Sequence, residues 1–208
     1  MPPAPDPSTP DLSTPKPSAP KPSAPDPSTP KPLAPKPLAP GVPQPSTSAP
    51  RPPGQATYIV SPPNQGDSAI WRELYQAYAD FYKEAVTEEQ LDRMWSWVTD
   101  PGHDVNALLV RDPRGTAVGL AHYRPYYRPL AAAVAGHLDD LFVTPAARGT
   151  GAVDALLEAL RGIARQRGWS KIRWITADDN YRARSKYDQV AERTTWVTYD
   201  MQVPPESS

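Results

Sequence analysis

From Thr57 onward the apolar positions change period repeatedly, and each change predicts an element. Thr57-Tyr58-Ile59-Val60 is a short β-prone run stopped by Pro62-Pro63, which predicts a strand. Ile70, Leu74, Tyr78, Phe81 and Tyr82 then recur at helical spacing behind Asp67 or Ser68, either of which can cap, and predict a helix through Ala85. Thr87-Glu88-Glu89-Gln90 has capping-box spacing ahead of Leu91, Met94, Trp95 and Val98, a second helix closed by Pro101-Gly102. Val105 to Val110 and Ala117 to Arg124 read as two strands joined by the turn Asp112-Pro113-Arg114-Gly115, with Tyr126-Tyr127-Arg128-Pro129 as the following loop.

The central stretch runs from Gly136 to Arg167. Leu138-Asp139-Asp140-Leu141-Phe142-Val143 reads as a buried strand ended by Pro145. Leu156, Leu157, Leu160, Ile163 and Ala164 form one face of a long helix beginning near Val153, with Gly168 placed to end it. Lys171 to Thr176 predicts a further buried strand, Asn180 opens a short helix ending near Val190, and the alternation from Thr194 to Val203 predicts a closing strand. Alternating strands and helices with a hairpin in front imply an α/β fold: a mixed, mostly antiparallel sheet flanked by helices.

The first quarter of the chain is different. Of the 30 prolines, 23 precede Asn64, and residues 6–40 are a five-residue repeat (DPSTP, DLSTP, KPSAP, KPSAP, DPSTP, KPLAP, KPLAP). A segment this poor in apolar side chains cannot offset its chain entropy, so residues 1–53 are expected to be a disordered polyproline-like arm, a spacer or a ligand for a Pro-recognising domain. The folded domain is expected over 54–203, with 204–208 a frayed tail. It holds all six tryptophans and all ten tyrosines, enough to fill a core.

Charge and residue types narrow the function classes. The arm carries five cations and three anions, so the rest of the chain stands at −3 against −1 for the whole. That balance offers no basic footprint for nucleic acid. Cysteine is absent, which removes disulfides, thiolate metal sites and a cysteine nucleophile. No apolar run reaches membrane-spanning length, and no basic segment followed by an apolar one opens the sequence, so the expectation is a cytoplasmic protein away from membranes. His103, His122 and His137 are too scattered for a metal site. His122 and His137, on neighbouring predicted strands, are placed to approach one another, and either is a candidate base. No Gly-x-Ser-x-Gly elbow is present.

Between the central strand and the long helix lies Arg148-Gly149-Thr150-Gly151-Ala152-Val153. A glycine turn opening a helix presents unpaired backbone N–H groups and the positive end of the helix dipole, and Arg148 adds a permanent cation, so the turn is a candidate anion cradle. It is neither a P-loop, since no Gly-Lys-Ser/Thr follows, nor a dinucleotide fingerprint, since Asp154 stands where the third glycine would fall. The turn after Leu141-Phe142-Val143, followed about thirty residues later by Asn180 and by Tyr187 seven residues beyond it, resembles the two signatures of the GNAT superfamily of N-acyltransferases.

The resemblance implies a GNAT fold and transfer of an acetyl group from acetyl-CoA to a primary amine. It assigns the backbone of Phe142 and Val143 to the pantetheine arm and thioester carbonyl. Arg148, Gly149, Thr150, Gly151, Ala152 and Val153 would hold the pyrophosphate, Asn180 the pantetheine, and Tyr187 would donate a proton to the leaving sulfur. Val153 departs from the family pattern, which ends in Gly or Ala, and puts a branched side chain beside the pyrophosphate. The acidic strand is similar to that of polyamine and related small-amine acetyltransferases. There Asp139 would bind the cationic amine or take its proton, with Asp140, Tyr82 and Trp95 as further acceptor-side residues. Because neighbouring strand residues face opposite ways, only one of Asp139 and Asp140 is expected to point into a given cleft. The partner is then a small amine, polyamine-like or a peptide lysine, with no metal, and paired subunits are common in the family. A non-catalytic acyl-CoA-binding module and a partner-binding unit organised around the proline arm are the alternatives.

Overall fold

The structure is a computed structural model in which residues 57–204 are described; the repeat arm and the last four residues lie outside them. Five strands form one open sheet in sequence order: β1 (Ile59–Ser61), β2 (Asn106–Arg111), β3 (Ala117–Arg128), β4 (Ala133–Val143) and β5 (Ile172–Arg173). The first three pairings are antiparallel and the last, β4 with β5, is parallel. The α/β expectation therefore holds, with the sheet mixed and mostly antiparallel.

Helices α1 (Ser68–Tyr82) and α2 (Glu88–Thr99) cover one face and α3 (Ala152–Gln166) the other. The strand period of two divides the core cleanly. Leu109, Leu120 and Phe142 join Trp71, Leu74 and Leu91 under the first helix pair. Leu108, Val110, Ala121, Tyr123, Leu138 and Val143 join Leu156, Leu157 and Leu160 under α3. The expected capping box is present: the Thr87 side chain accepts from the Gln90 backbone at 3.2 Å and Gln90 Oε1 accepts from the Thr87 N–H at 2.8 Å. Helix α1 stops before the expected Ala85, at Lys83, which adopts a left-handed conformation.

Three expectations are corrected. The Tyr126–Pro129 stretch is not a loop up to Pro129, because β3 runs on through Arg128 and the chain turns at Pro129–Ala131 instead. The strand expected over Lys171 to Thr176 pairs only at Ile172 and Arg173. Residues 194–203 form no strand, and Trp196 and Tyr199 are 81% and 89% exposed. Alternation makes a segment fit for a ladder, but a strand also needs a partner edge, and none of the described residues supplies one to this segment. None of the described helices is long and apolar enough to cross a bilayer.

One ion pair fixes the start of α1 against the sheet. Arg111 at the end of β2 donates to Asp67 Oδ1 at 2.6 Å and to Ser61 Oγ at 3.2 Å, and Asp67 Oδ2 also accepts from the Asn64 N–H at 2.8 Å. Burial pushes the Asp67 carboxyl up, but the Asn64 N–H and the Arg111 guanidinium outweigh it and hold it below the usual range. As acid is added the unfolded chain takes this proton first. The contribution is therefore complete above about pH 4 and lost as pH falls through the lower folded value. Thermal unfolding followed from pH 7 to pH 2 is expected to show that acid limb flattened in Arg111→Met.

Candidate functional site

The site begins where β4 and β5 part. Their pairing covers only Gly136↔Ile172 and His137↔Arg173. The Trp169 ring lies so close over Gly136 that a Cβ there would come within 2.4 Å of it, so glycine is what lets the two chains close at this point. Beyond it the strands diverge and a cavity of about 490 Å³ opens. Its walls are Leu141, Phe142 and Val143 of β4, Arg148, Gly149 and Val153 at the start of α3, Asn180 and Tyr187 of the α4 segment (α4, Tyr181–Tyr187), and Tyr78, Phe81 and Tyr82 of α1.

The glycine turn builds one end of this cavity. Gly149 and Gly151 hold φ of 83° and 101°, values that favour glycine, and no side chain caps the first N–H groups of α3. Arg148 Nε donates to the Val143 carbonyl at 3.2 Å and its guanidinium lies 5.4 Å from the Phe81 ring centre, so the cation is fixed on the wall. Thr150, Gly151 and Ala152 do not line the cavity. Thr150 donates its hydroxyl hydrogen bond to the Ala147 carbonyl at 2.6 Å, Gly151 is the residue from which α3 departs, and Ala152 is buried in the core beneath the helix. The Val153 side chain stands in the half-buried wall. Two further cations, Arg182 and Lys186, line the same cavity, Lys186 paired with Asp154. Sequence reasoning passed over both, although their spacing of four on a short helix behind Asn180 was the available signal.

Asn180 does two structural jobs at the cavity wall. Its Oδ1 accepts from the Ala183 N–H at 3.3 Å, capping α4, and its Nδ2 donates to Thr176 Oγ1 at 3.4 Å. Tyr187, at the far end of α4, packs 5.2 Å from the Trp174 ring. Burial, with a smaller contribution from Tyr82, pushes its phenol up to about 12. Tyr82 is on the cavity wall. Trp95 is not; it packs 5.3 Å from Trp71 among the residues buried beneath α1 and α2.

The acidic pair is arranged by a β-bulge. The register of β3 with β4 shifts between His122↔Asp140 and Tyr123↔Leu138, leaving one extra residue in β4. Core membership shows the same shift: Leu138 packs under α3 whereas Phe142, four residues on, packs under α1. The expectation that Asp139 and Asp140 face opposite ways is therefore wrong here, because the extra residue turns both toward the α1 face. Asp140 Oδ2 lies 2.8 Å from His122 Nδ1, and Asp139 Oδ1 lies 3.1 Å from both Arg124 Nε and His137 Nδ1. Nor do the two histidines meet, since each serves its own aspartate.

His122 is completely buried, and its Nε2 accepts from the Trp71 indole N–H at 2.9 Å. Indole only donates, so the ring proton belongs on Nδ1, which donates to Asp140. Tyr75 and Tyr78 of α1 close over the pair. The Tyr75 phenol is pushed up to about 12 by burial, then by the charges of Asp140 and Asp139. Tyr78 is pushed up further, by burial and then by Asp140, and it also stands on the cavity wall, which Asp139 and Asp140 themselves do not line. His122 and Trp71 carried no readable signal as a pair, being 51 residues apart. Among the described residues no three carboxylate or histidine side chains gather as metal ligands.

Comparison with known proteins agrees with this architecture. Residues 71–190 match the model of the acetyltransferase (GNAT) family. The chain is 29% identical to the D-amino-acid N-acetyltransferase of Saccharomyces cerevisiae over 134 residues, covering 64% of this chain and 83% of that one. It is 30% identical over 140 residues to the uncharacterized N-acetyltransferase YhfO of Bacillus subtilis, covering 66% and 93%. In fold it is similar to a ribosomal-protein-alanine N-acetyltransferase from Brucella melitensis (TM-score 0.59, 22% identity, 71% of this chain and 99% of that one). It is likewise similar to an aminoglycoside N-acetyltransferase solved with CoA (TM-score 0.60, 16% identity, 72% and 97%). The match spans α1 through α4, the elements that enclose the cavity, and on that ground the chain belongs to the GNAT acetyltransferase family.

Proposed function

We propose that this enzyme transfers acetyl from acetyl-CoA directly to the primary amine of a small acceptor that carries a carboxylate close to the amine. The observation that carries this reading is the continuity of one cavity from the uncapped start of α3, past Tyr187, to Tyr78 beneath which the bulged aspartates lie. The pyrophosphate fits the end lined by Arg148, Gly149, Arg182 and Lys186, where backbone N–H groups and fixed cations converge. The pantetheine arm then follows Leu141–Val143 along the gap between β4 and β5. No cysteine exists to form an acyl-enzyme, which favours direct attack.

In this scheme the acceptor enters as an ammonium and gives one proton to Asp140. The free amine attacks the thioester carbonyl, forming the C–N bond and a tetrahedral oxyanion. Collapse breaks the C–S bond, and Tyr187 donates its phenolic proton to the departing thiolate. The second nitrogen proton passes through solvent to restore Tyr187, and Asp140 releases the proton it took, so each turnover yields the amide, CoA thiol and one proton. A phenol held protonated over the whole working range is always ready as the acid.

The acceptor class follows from the partner of Asp139. Arg124 bonds that carboxylate and puts a permanent cation beside the place where an ammonium would sit. A polyamine would meet repulsion there, whereas an amino-acid-like acceptor can give its ammonium to Asp140 and its carboxylate to Arg124. The D-amino-acid activity in the name of the yeast relative supports this choice.

Three outcomes are expected. Calorimetry with acetyl-CoA should show Arg148→Ala binding about tenfold more weakly, the loss of one charge-assisted contact. Tyr187→Phe should lower kcat by about a hundredfold with acetyl-CoA affinity kept, and its tyrosinate absorbance titration should lack one phenol ionising near pH 12. In a thiol-release assay, free amino acids should exceed their amides and spermidine by about tenfold or more in kcat/KM. Spermidine as the better substrate would return the acceptor to the polyamine class.

A further inference from the structure

We propose that His122 is a positioning residue for Asp140, locked by Trp71 in its Nδ1–H tautomer, so that the two neighbouring aspartates have different tasks. This rests on the reading of Asp140 as the carboxylate that takes the amine proton. His122 has no exposure to solvent, and both of its nitrogens are committed: Nε2 to the Trp71 N–H at 2.9 Å and Nδ1 to Asp140 Oδ2 at 2.8 Å. In the opposite tautomer, Nε2–H would face the indole N–H and the Nδ1 lone pair would face the carboxylate. An imidazolium would likewise set Nε2–H against the indole N–H. Trp71 therefore keeps the ring neutral, with one donor aimed at Asp140.

The consequence lies in the contrast between the carboxylates. Asp139 has Arg124, a permanent cation, and His137, both at 3.1 Å from Oδ1. Asp140 has a neutral N–H donor, which orients one oxygen and brings no permanent cation to it. Thus Asp139 serves to hold charge and Asp140 to move a proton. The groups facing His122 are few. Tyr75 of α1 meets its ring edge-on at 5.0 Å, β4 brings Asp140, and β2 brings uncharged Ala107. Trp95 of α2 packs behind Trp71, and Tyr78 faces Asp140 rather than the imidazole. Arg124 and Asp139 lie next along the sheet.

The test uses the full chain with His122→Phe, His122→Asn and Trp71→Phe. The asparagine amide N–H takes the place of Nδ1–H, whereas phenylalanine fills the space without donating. His122→Phe is expected to lower acceptor kcat/KM by about tenfold to a hundredfold with acetyl-CoA affinity unchanged, and His122→Asn to recover it to within about threefold of the parent. Trp71→Phe frees Nε2, no longer fixes the tautomer, and is expected to lower acceptor kcat/KM with acetyl-CoA affinity unchanged. Long-range ¹H–¹⁵N correlation spectra of the parent should show His122 protonated at Nδ1 alone. His122→Asn no better than His122→Phe, or a proton on Nε2 in the parent, would overturn the assignment. Parent turnover is measured first: if no amine is acetylated, the proposed function itself fails and this role falls with it, whereas turnover without asparagine rescue removes only the role of His122.

Discussion

One extra residue in β4 sets the geometry of the active face. Without the bulge, a strand carrying two adjacent aspartates would send one of them into the apolar layer beneath α3, where Leu138 and Tyr123 pack. A buried carboxylate there would have no partner and a desolvation cost of several kcal/mol. The bulge turns both carboxylates to the same side and restores the alternation before Phe142 and Val143 must enter opposite cores. It does so one strand position from where β4 loses β5. Charge on one face and an opening along the strand edge thus arise together.

That opening gives the two ends of the cavity different electrostatic characters. Arg148, Arg182 and Lys186 line one end beside N–H groups that no side chain caps, and Tyr78, which covers the bulged carboxylates, stands at the other. Tyr187 stands between them with its phenol kept protonated by burial. On the proposed reading, this gradient orients a ligand that is anionic at one end and meets an amine at the other before any specific contact forms. Arg124 adds a permanent cation at Asp139, and on the proposed reading that cation distinguishes an acceptor with its own carboxylate from a purely cationic one.

How much of this was legible in the sequence varied with the range of the interaction. The capping box at Thr87, the helical stripe from Leu156 to Ala164 and the Gly149–Gly151 turn are local, and each was readable from a few neighbouring residues. The spacing from Arg148 through Asn180 to Tyr187 brought out the family because the motif residues recur at fixed distances along the chain. The Tyr126–Pro129 stretch misled because proline and arginine look like loop residues, yet Tyr126–Arg128 pair with Ala133–Ala135 as the end of a long hairpin. Residues 194–203 misled in the opposite sense, since an alternating pattern says nothing about whether an edge is available.

The sequence by itself determined the helices and most of the strands, that no cysteine chemistry is possible, and that a glycine turn opening a helix follows an acidic strand. These depend on backbone propensity and residue type over short stretches, which are fixed before the chain folds. Only the tertiary structure decided that Asp139 and Asp140 share a face, that Trp71 reaches across to His122, and that Arg182 and Lys186 meet Arg148 at one cavity. Those facts follow from register and packing between elements tens of residues apart, where a shift of one residue sends every side chain to the other side.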